Sequence, residues 1–428
     1  MKLKSKKSKV ICLILAFIAG IYIFANIAVG PIIGVYLPQQ FASCQIDACK
    51  GNLENVNYLF SPNIPPPPPI KKNISSSPPQ PENGHLDIET LKALNIDGLL
   101  LNKKYKSIPS PLINHFYLNV KGPGTYPSYV ISGYTIKSPF QPSPEHPEYA
   151  NHWVILVHGI LSDWTYSLII GLKLLELGIN IVVYDNYSVM SHEIDNFGFH
   201  GTTGSGGVAF GLFEAYGLQA VYEKISQRAD ASTIGIYGAS MGAATVMMFS
   251  DLYGNRDYVA EGSKLDYIIQ DSGYASLMAE VEHVLWDTYD IPLWLVYFGA
   301  ISSTIIANIW NPYSINPAHN IARSIVPMYF VQGTADTFVP YSDNFKPLLF
   351  SYYNGISLLF WTKVKTIGKI KRPIPYFNFT VLPGSSHADS FFWNRAVNNH
   401  FVYFFEQSIA NGAESRKDFL KALSSDYN

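Results

Sequence analysis

Ser240 sits in Gly238-Ala239-Ser240-Met241-Gly242, between the apolar run Thr233–Tyr237 and the helix-like stretch Ala243–Met248. A serine on a strand-to-helix turn, with glycine two residues away on either side, is arranged as a nucleophile. The glycines let neighbouring backbones approach, and the helix amino terminus faces the charge that develops on attack. A serine hydroxyl is a weak nucleophile. It needs a histidine base, and the histidine needs a carboxylate to orient it. Downstream, Pro327–Gln332 reads as a strand ending at Gly333, with Asp336 just past it. Pro383-Gly384-Ser385-Ser386-His387 is a turn after the last apolar run. The order Ser240, Asp336, His387, each in a loop after a strand, predicts a catalytic triad for acyl transfer. Asp271, after the run Tyr267–Gln270, is the reserve carboxylate. Asp389 is too local to His387 to orient it, and Asp185 reads as a cap or turn former.

His158-Gly159-Ile160 follows the run Trp153–Val157, one unit before the elbow. Backbone N–H groups of Ile160 and Met241 are predicted to receive the oxyanion, with the His158 side chain structural. No cofactor is called for and no metal-ligand spacing occurs. The three cysteines, Cys12, Cys44 and Cys49, all precede the catalytic segment and exclude a zinc-thiolate site there. Net charge is −2 and there is no basic stripe with interleaved aromatics, so nucleic acid is not an expected partner.

The elements that must hold these residues are readable as short apolar runs. They lie at Ser128–Lys137, Trp153–His158, Asn180–Asp185, Thr233–Tyr237, Tyr267–Gln270, Met328–Gln332 and Tyr376–Leu382. Near-continuous apolar runs mark strands buried on both faces of a mostly parallel sheet. Helical stretches such as Tyr166–Leu177 and Phe213–Ser226 separate them, which predicts an α/β fold with helices on both faces. The apolar segment Ile291–Trp310 is read as part of an inserted helical lid, about 274–326, because a membrane pass there would divide the triad. Trp286, Trp294, Tyr297, Phe298 and Trp310 in that insertion point to an apolar acyl substrate; packing of the cap is the competing role.

The amino-terminal part reads differently. Lys2, Lys4, Lys6, Lys7 and Lys9 precede an apolar run from residue 10 to 29. Roughly 20 apolar residues match a membrane-spanning helix, and the lysines place residues 1–9 in the cytoplasm. A cleaved signal peptide is the alternative, leaving a secreted domain. Residues 30–85 then form an extracytoplasmic stalk, with proline-rich 62–81 extended as a spacer or docking segment. A local Cys44–Cys49 disulfide fits that compartment, with two free thiols as the alternative. The hydrolytic domain is expected over 86–428. Sequons for glycosylation occur at Asn73, Asn186 and Asn378.

At these residues the chain resembles the α/β-hydrolase superfamily over roughly 125–410. Val157-His158-Gly159 resembles its oxyanion strand, Gly238–Gly242 its elbow, Gly333–Pro340 its acid loop and Gly384–His387 its histidine loop. Phe210-Gly211-Leu212-Phe213-Glu214 is similar to its Gly-x-x-Glu turn. Within the superfamily the chain is most similar to serine aminopeptidase-like and BEM46-like proteins. Gln332 stands where the family usually has His, and Gly217 where Asp often follows the Glu; neither is expected to touch the triad. The resemblance implies a membrane-anchored serine esterase or thioesterase. The alternatives are a serine peptidase, with Glu280, Glu282, Asp287 or Asp290 receiving a substrate amine, and a catalytically silent binding protein.

Overall fold

Eight strands form one sheet, because each carries enough apolar residues to cover one or both of its faces. In the computed structural model the described residues are 86–87, 107–108, 112–187, 193–194, 199–200, 208–254, 263–284, 286, 312–352, 377–390 and 405–412, apart from 123, 125–127, 161, 325 and 389. The strands are β1 (Ile113–Val120), β2 (Tyr129–Ile136), β3 (His152–Val157), β4 (Asn180–Tyr184), β5 (Thr233–Ala239), β6 (Leu265–Asp271), β7 (Met328–Gly333) and β8 (Phe377–Leu382). Their spatial order is β1-β2-β4-β3-β5-β6-β7-β8. The first two ladders, β1 with β2 and β2 with β4, are antiparallel; the rest are parallel.

Alternation along β3 shows how the sheet sorts its side chains. Trp153, Ile155 and Val157 join one buried cluster, with Leu218 and Val221 of α2 (Leu212–Ser226) and Val246 of α3 (Met241–Phe249). Val154 and Leu156 join the opposite cluster, with Leu168 and Leu172 of α1 (Trp164–Glu176). Phe405 and Ile409, from a helix over 405–412, complete that second layer. Successive strand residues point to opposite faces, so a strand apolar at every position needs a helix on each side.

All seven strands read from the sequence lie in this sheet. The eighth, β1, precedes the 125–410 span of the resemblance. It is an edge strand in which Phe116 and Val120 are buried and Leu118 half-buried, alternating with exposed His115, Tyr117 and Asn119.

Of the segment expected to form a lid, the described parts include α4 (Leu277–His283) and α5 (Pro317–Ile321). These parts are tied together: Leu277 N–H donates to Ile315 O at 2.9 Å, and Ala318 N–H to Ala275 O at 2.9 Å. Residues 287–311, the predicted anchor at 10–29, the proline-rich segment and the Cys44–Cys49 pair lie outside the described residues. Among the described residues no helix is long and apolar enough to cross a membrane.

Candidate active site

Ser240 is built onto the end of β5 by steric exclusion. Its φ is +57° and ψ −122°, a backbone state that side-chain-bearing residues rarely adopt. A Cβ on Gly238 would lie 2.2 Å from Gly242 O, and one on Gly242 only 2.3 Å from Val157 O. Gly238 is therefore required by the tight turn of the elbow on itself, and Gly242 by its close crossing over the end of β3. Ser240 N–H donates to Asp271 O at 2.8 Å, pinning the turn to the neighbouring β6. We expect Gly242→Ala to destabilise by about 1–3 kcal/mol through overpacking against backbone atoms. Gly217→Ala is the control, since its Cβ would meet nothing closer than Tyr129 Oη at 3.5 Å. Thermal unfolding should show Gly242→Ala well below wild type and Gly217→Ala at or above it.

The three predicted residues meet. His387 Nε2 lies 2.8 Å from Ser240 Oγ, and His387 Nδ1 lies 2.8 Å from Asp336 Oδ2. The tautomer protonated on Nδ1 satisfies both contacts: Ser240 O–H donates to Nε2, and Nδ1–H donates to Asp336. The side chain of Asp336 is fully buried and that of His387 is 24% exposed, so the base borders solvent while its acid does not. Asp336 Oδ1 accepts from Phe338 N–H at 3.0 Å and Val339 N–H at 2.8 Å.

Gln332 corrects the sequence reading. It was expected to stay clear of the triad, yet its Nε2–H donates to Asp336 Oδ2 at 2.7 Å and to Val339 O at 3.0 Å. The loop after β7 turns back over its own strand end, which brings a residue four positions earlier against the acid. The one signal available was the departure itself, an amide donor in place of the family's usual His. Four N–H groups thus converge on one carboxylate.

The mostly parallel sheet, the glycine-bounded serine elbow and the chain order Ser, Asp, His now stand together. This is the α/β-hydrolase fold. No family model matches the chain. YqkD of Bacillus subtilis, described as an uncharacterized protein, is 23% identical over 221 residues. That match covers 51% of this chain and 63% of YqkD, less than two thirds of the relative's length. The Pyrococcus furiosus esterase Pf2001 is similar at 16% identity with a TM-score of 0.43, over 72% of this chain and 92% of that one. A Pyrococcus horikoshii acylaminoacyl peptidase is similar at 14% identity and a TM-score of 0.41, over 69% of this chain and 42% of that one. At these scores the fold assignment rests on the chain's own strand order and elbow.

Around the α/β-hydrolase elbow, the segment after β3 passes close to the nucleophile. Gly159 runs against the nucleophile: a Cβ there would sit 3.1 Å from Ser240 Cβ and 3.6 Å from Ser240 Oγ. Ile160 is half-buried and Met241 buried, and both join Val208 and Phe210 in a small apolar cluster. His158 is structural. Its Nε2 accepts from Asn186 N–H at 2.9 Å, and burial drives its pKa down to about 4, keeping the ring neutral. Asn186 Nδ2–H returns a bond to His158 O at 2.9 Å, and the side chain is wholly buried, so this sequon does not present a glycosylation site. Asp185 caps α1 by accepting from Trp164 N–H at 3.0 Å. Glu214 closes the Gly-x-x-Glu turn, accepting from Ala209 N–H at 3.1 Å and Gly211 N–H at 2.9 Å.

Asp271, the reserve acid, makes no hydrogen bond to His387 among the described residues. Its carboxylate instead accepts from Tyr237 O–H at 2.8 Å, Ser272 O–H at 3.1 Å and Ser390 O–H.

Glu280 of α4, one of the carboxylates considered for a substrate amine, is buried beside the acid loop and accepts from Asn344 Nδ2–H at 3.2 Å. Burial raises its pKa to about 8; the Asn344 bond lowers it, and the neighbouring charges of Asp336 and Asp343 raise it further. The folded-state pKa lies above the ordinary Glu value of about 4.5. As pH rises from about 4.5 to about 8 the unfolded chain ionises first, so the group costs stability across that window and no more above it. We expect Glu280→Gln to match wild type at pH 4.5. It should become progressively more stable than wild type up to pH 8, by about 1.4 kcal/mol per pH unit at most. Melting temperatures of the two proteins across pH 4.5–9 check this; parallel curves would refute it.

Proposed function

We propose that the protein is a serine hydrolase that cleaves carboxylic ester or thioester bonds of an apolar acyl substrate. The observation that carries this reading is the pair of 2.8 Å contacts running from Ser240 Oγ through His387 to Asp336. In the proposed cycle His387 Nε2 takes the hydroxyl proton as Ser240 Oγ bonds to the acyl carbon. Asp336 holds the imidazolium that results. Backbone N–H groups of Ile160 and Met241 receive the oxyanion, and His387 returns the proton to the departing alcohol or thiol. Water then attacks the acyl-enzyme by the same route in reverse.

Apolar groups near both ends of the site support the substrate class. The cluster of Ile160, Val208, Phe210 and Met241 borders the elbow. Phe338 is 45% exposed, with its ring 5.1 Å from that of His387. A membrane tether at residues 10–29, holding the catalytic domain outside the cytoplasm, belongs to the same proposal and is supported by the lysine-flanked apolar run.

The test is to label the full-length chain with a fluorophosphonate, then assay acyl esters, thioesters and aminoacyl amides of increasing chain length. Labelling, with turnover rising with acyl length, is the expected result. Preference for aminoacyl amides would move the protein to the peptidases. A folded chain that neither labels nor turns over any substrate would point to a silent binding protein.

A further inference from the structure

The described residues on either side of His387 form turns and no helix or strand, yet His387 must stay between Ser240 on one side and Asp336 on the other. Two contacts hold the residues that follow it. Ala388, with φ +50°, donates its N–H to Ser272 Oγ at 3.0 Å. Ser390 O–H donates to Asp271 Oδ2. Ser272, itself at φ +56°, donates its hydroxyl to Asp271 Oδ1 at 3.1 Å while accepting from Ala388, so the two contacts end on one carboxylate. All four residues are buried. Asp271 also holds the nucleophile through its main chain, since its carbonyl accepts from Ser240 N–H at 2.8 Å. Ser272 N–H in turn donates to Val331 O of β7 at 3.0 Å, the strand that leads to Asp336. Two non-glycine residues of the set, Ser272 and Ala388, lie at positive φ, a state sustained only where surrounding contacts dictate it.

We propose that Asp271, with Ser272 and Ser390, is a positioning latch that sets the His387 loop against the elbow. This rests on the reading of Ser240, Asp336 and His387 as the triad. Asp271 makes no contact with the reacting atoms and does not take the place of Asp336. It determines where the imidazole sits, so its loss acts on turnover more than on substrate binding. A catalytic group displaced by about 1 Å can lose on the order of 100-fold in rate.

The experiment compares wild type, Ser390→Ala, Asp271→Asn and Tyr237→Phe as full-length chains. Tyr237→Phe removes a donor to the same carboxylate from β5, not from the histidine loop. Two quantities are read: turnover per fluorophosphonate-titrated site on an acyl ester, and the far-downfield proton resonance of the His387 Nδ1–H bond to Asp336, assigned by its loss in His387→Ala. Ser390→Ala and Asp271→Asn are expected to lower kcat per titrated site about 10–100-fold with KM within about twofold, and to broaden or abolish the resonance. Tyr237→Phe is expected to retain the resonance and to lose much less turnover. Equal losses in all three variants, or unchanged turnover and resonance in Ser390→Ala, would overturn the latch. If wild type neither labels nor turns over ester, the proposed function has failed, and the resonance alone then decides the latch: its retention in Ser390→Ala overturns it.

Discussion

Ser240→Ala is expected to abolish fluorophosphonate labelling and to lower ester turnover on the order of 10⁶-fold, since a triad acts as a unit and its nucleophile has no substitute. Its melting temperature should stay close to that of wild type. Ser240 is only 9% exposed, but among the described residues its hydroxyl bonds one side chain, that of His387, which borders solvent. The surrounding elbow depends on Gly238, Gly242 and the backbone bond to Asp271, none of which the substitution touches. His387→Ala should lose activity on a similar scale with the hydroxyl intact. Labelling and turnover that persist in purified Ser240→Ala would remove the acyl-enzyme from the reading, whatever the geometry of the site.

Asp336→Asn is expected to lower kcat on the order of 10⁴-fold with KM little changed. The reason lies in the four donors around this carboxylate. Oδ1 faces the backbone N–H groups of Phe338 and Val339, which cannot reorient. An asparagine must therefore turn its NH₂ toward the Oδ2 position, where Gln332 Nε2–H and His387 Nδ1–H both donate. The imidazole can relieve that clash only by moving its proton to Nε2. It then faces Ser240 as a donor and cannot accept the hydroxyl proton. The measurement is steady-state kinetics on an acyl ester with protein concentration corrected for the folded fraction. A variant that keeps most of its turnover would exclude Asp336 as the orienting acid and return that role to Asp271.

The two carboxylates illustrate how far sequence reasoning reaches. Asp336 and Asp271 both follow a strand of the sheet, and both are compatible with a triad in chain order. Asp336 could be preferred on its loop pattern, but its bond to His387 is a contact between residues 51 positions apart that no local pattern encodes. Gln332 was visible as a departure from a family habit, and its contact was misread. The bend that brings it onto Asp336 comes from the β7 loop folding back, a three-dimensional event. Ser390 drew no attention at all, because a serine in a polar turn carries no signal until its partner across 119 residues is known.

What the sequence by itself determined is the part written in local periodicity and sterics. Apolar runs such as Trp153–Val157 require two covered faces, so a parallel sheet between helix layers follows. Glycine at 238 and 242 leaves room that any side chain would fill, so the serine between them must sit on a sharp turn. What only the tertiary structure decided is which loops meet above the carboxyl ends of the strands. Strand β1 entered the sheet through its antiparallel pairing with β2. The bonds from His387 to Ser240 and Asp336, the Gln332 brace and the Asp271 contacts to the histidine loop all join segments whose proximity is set by strand order. That order is fixed by the free energy of packing the whole sheet, which no single segment contains.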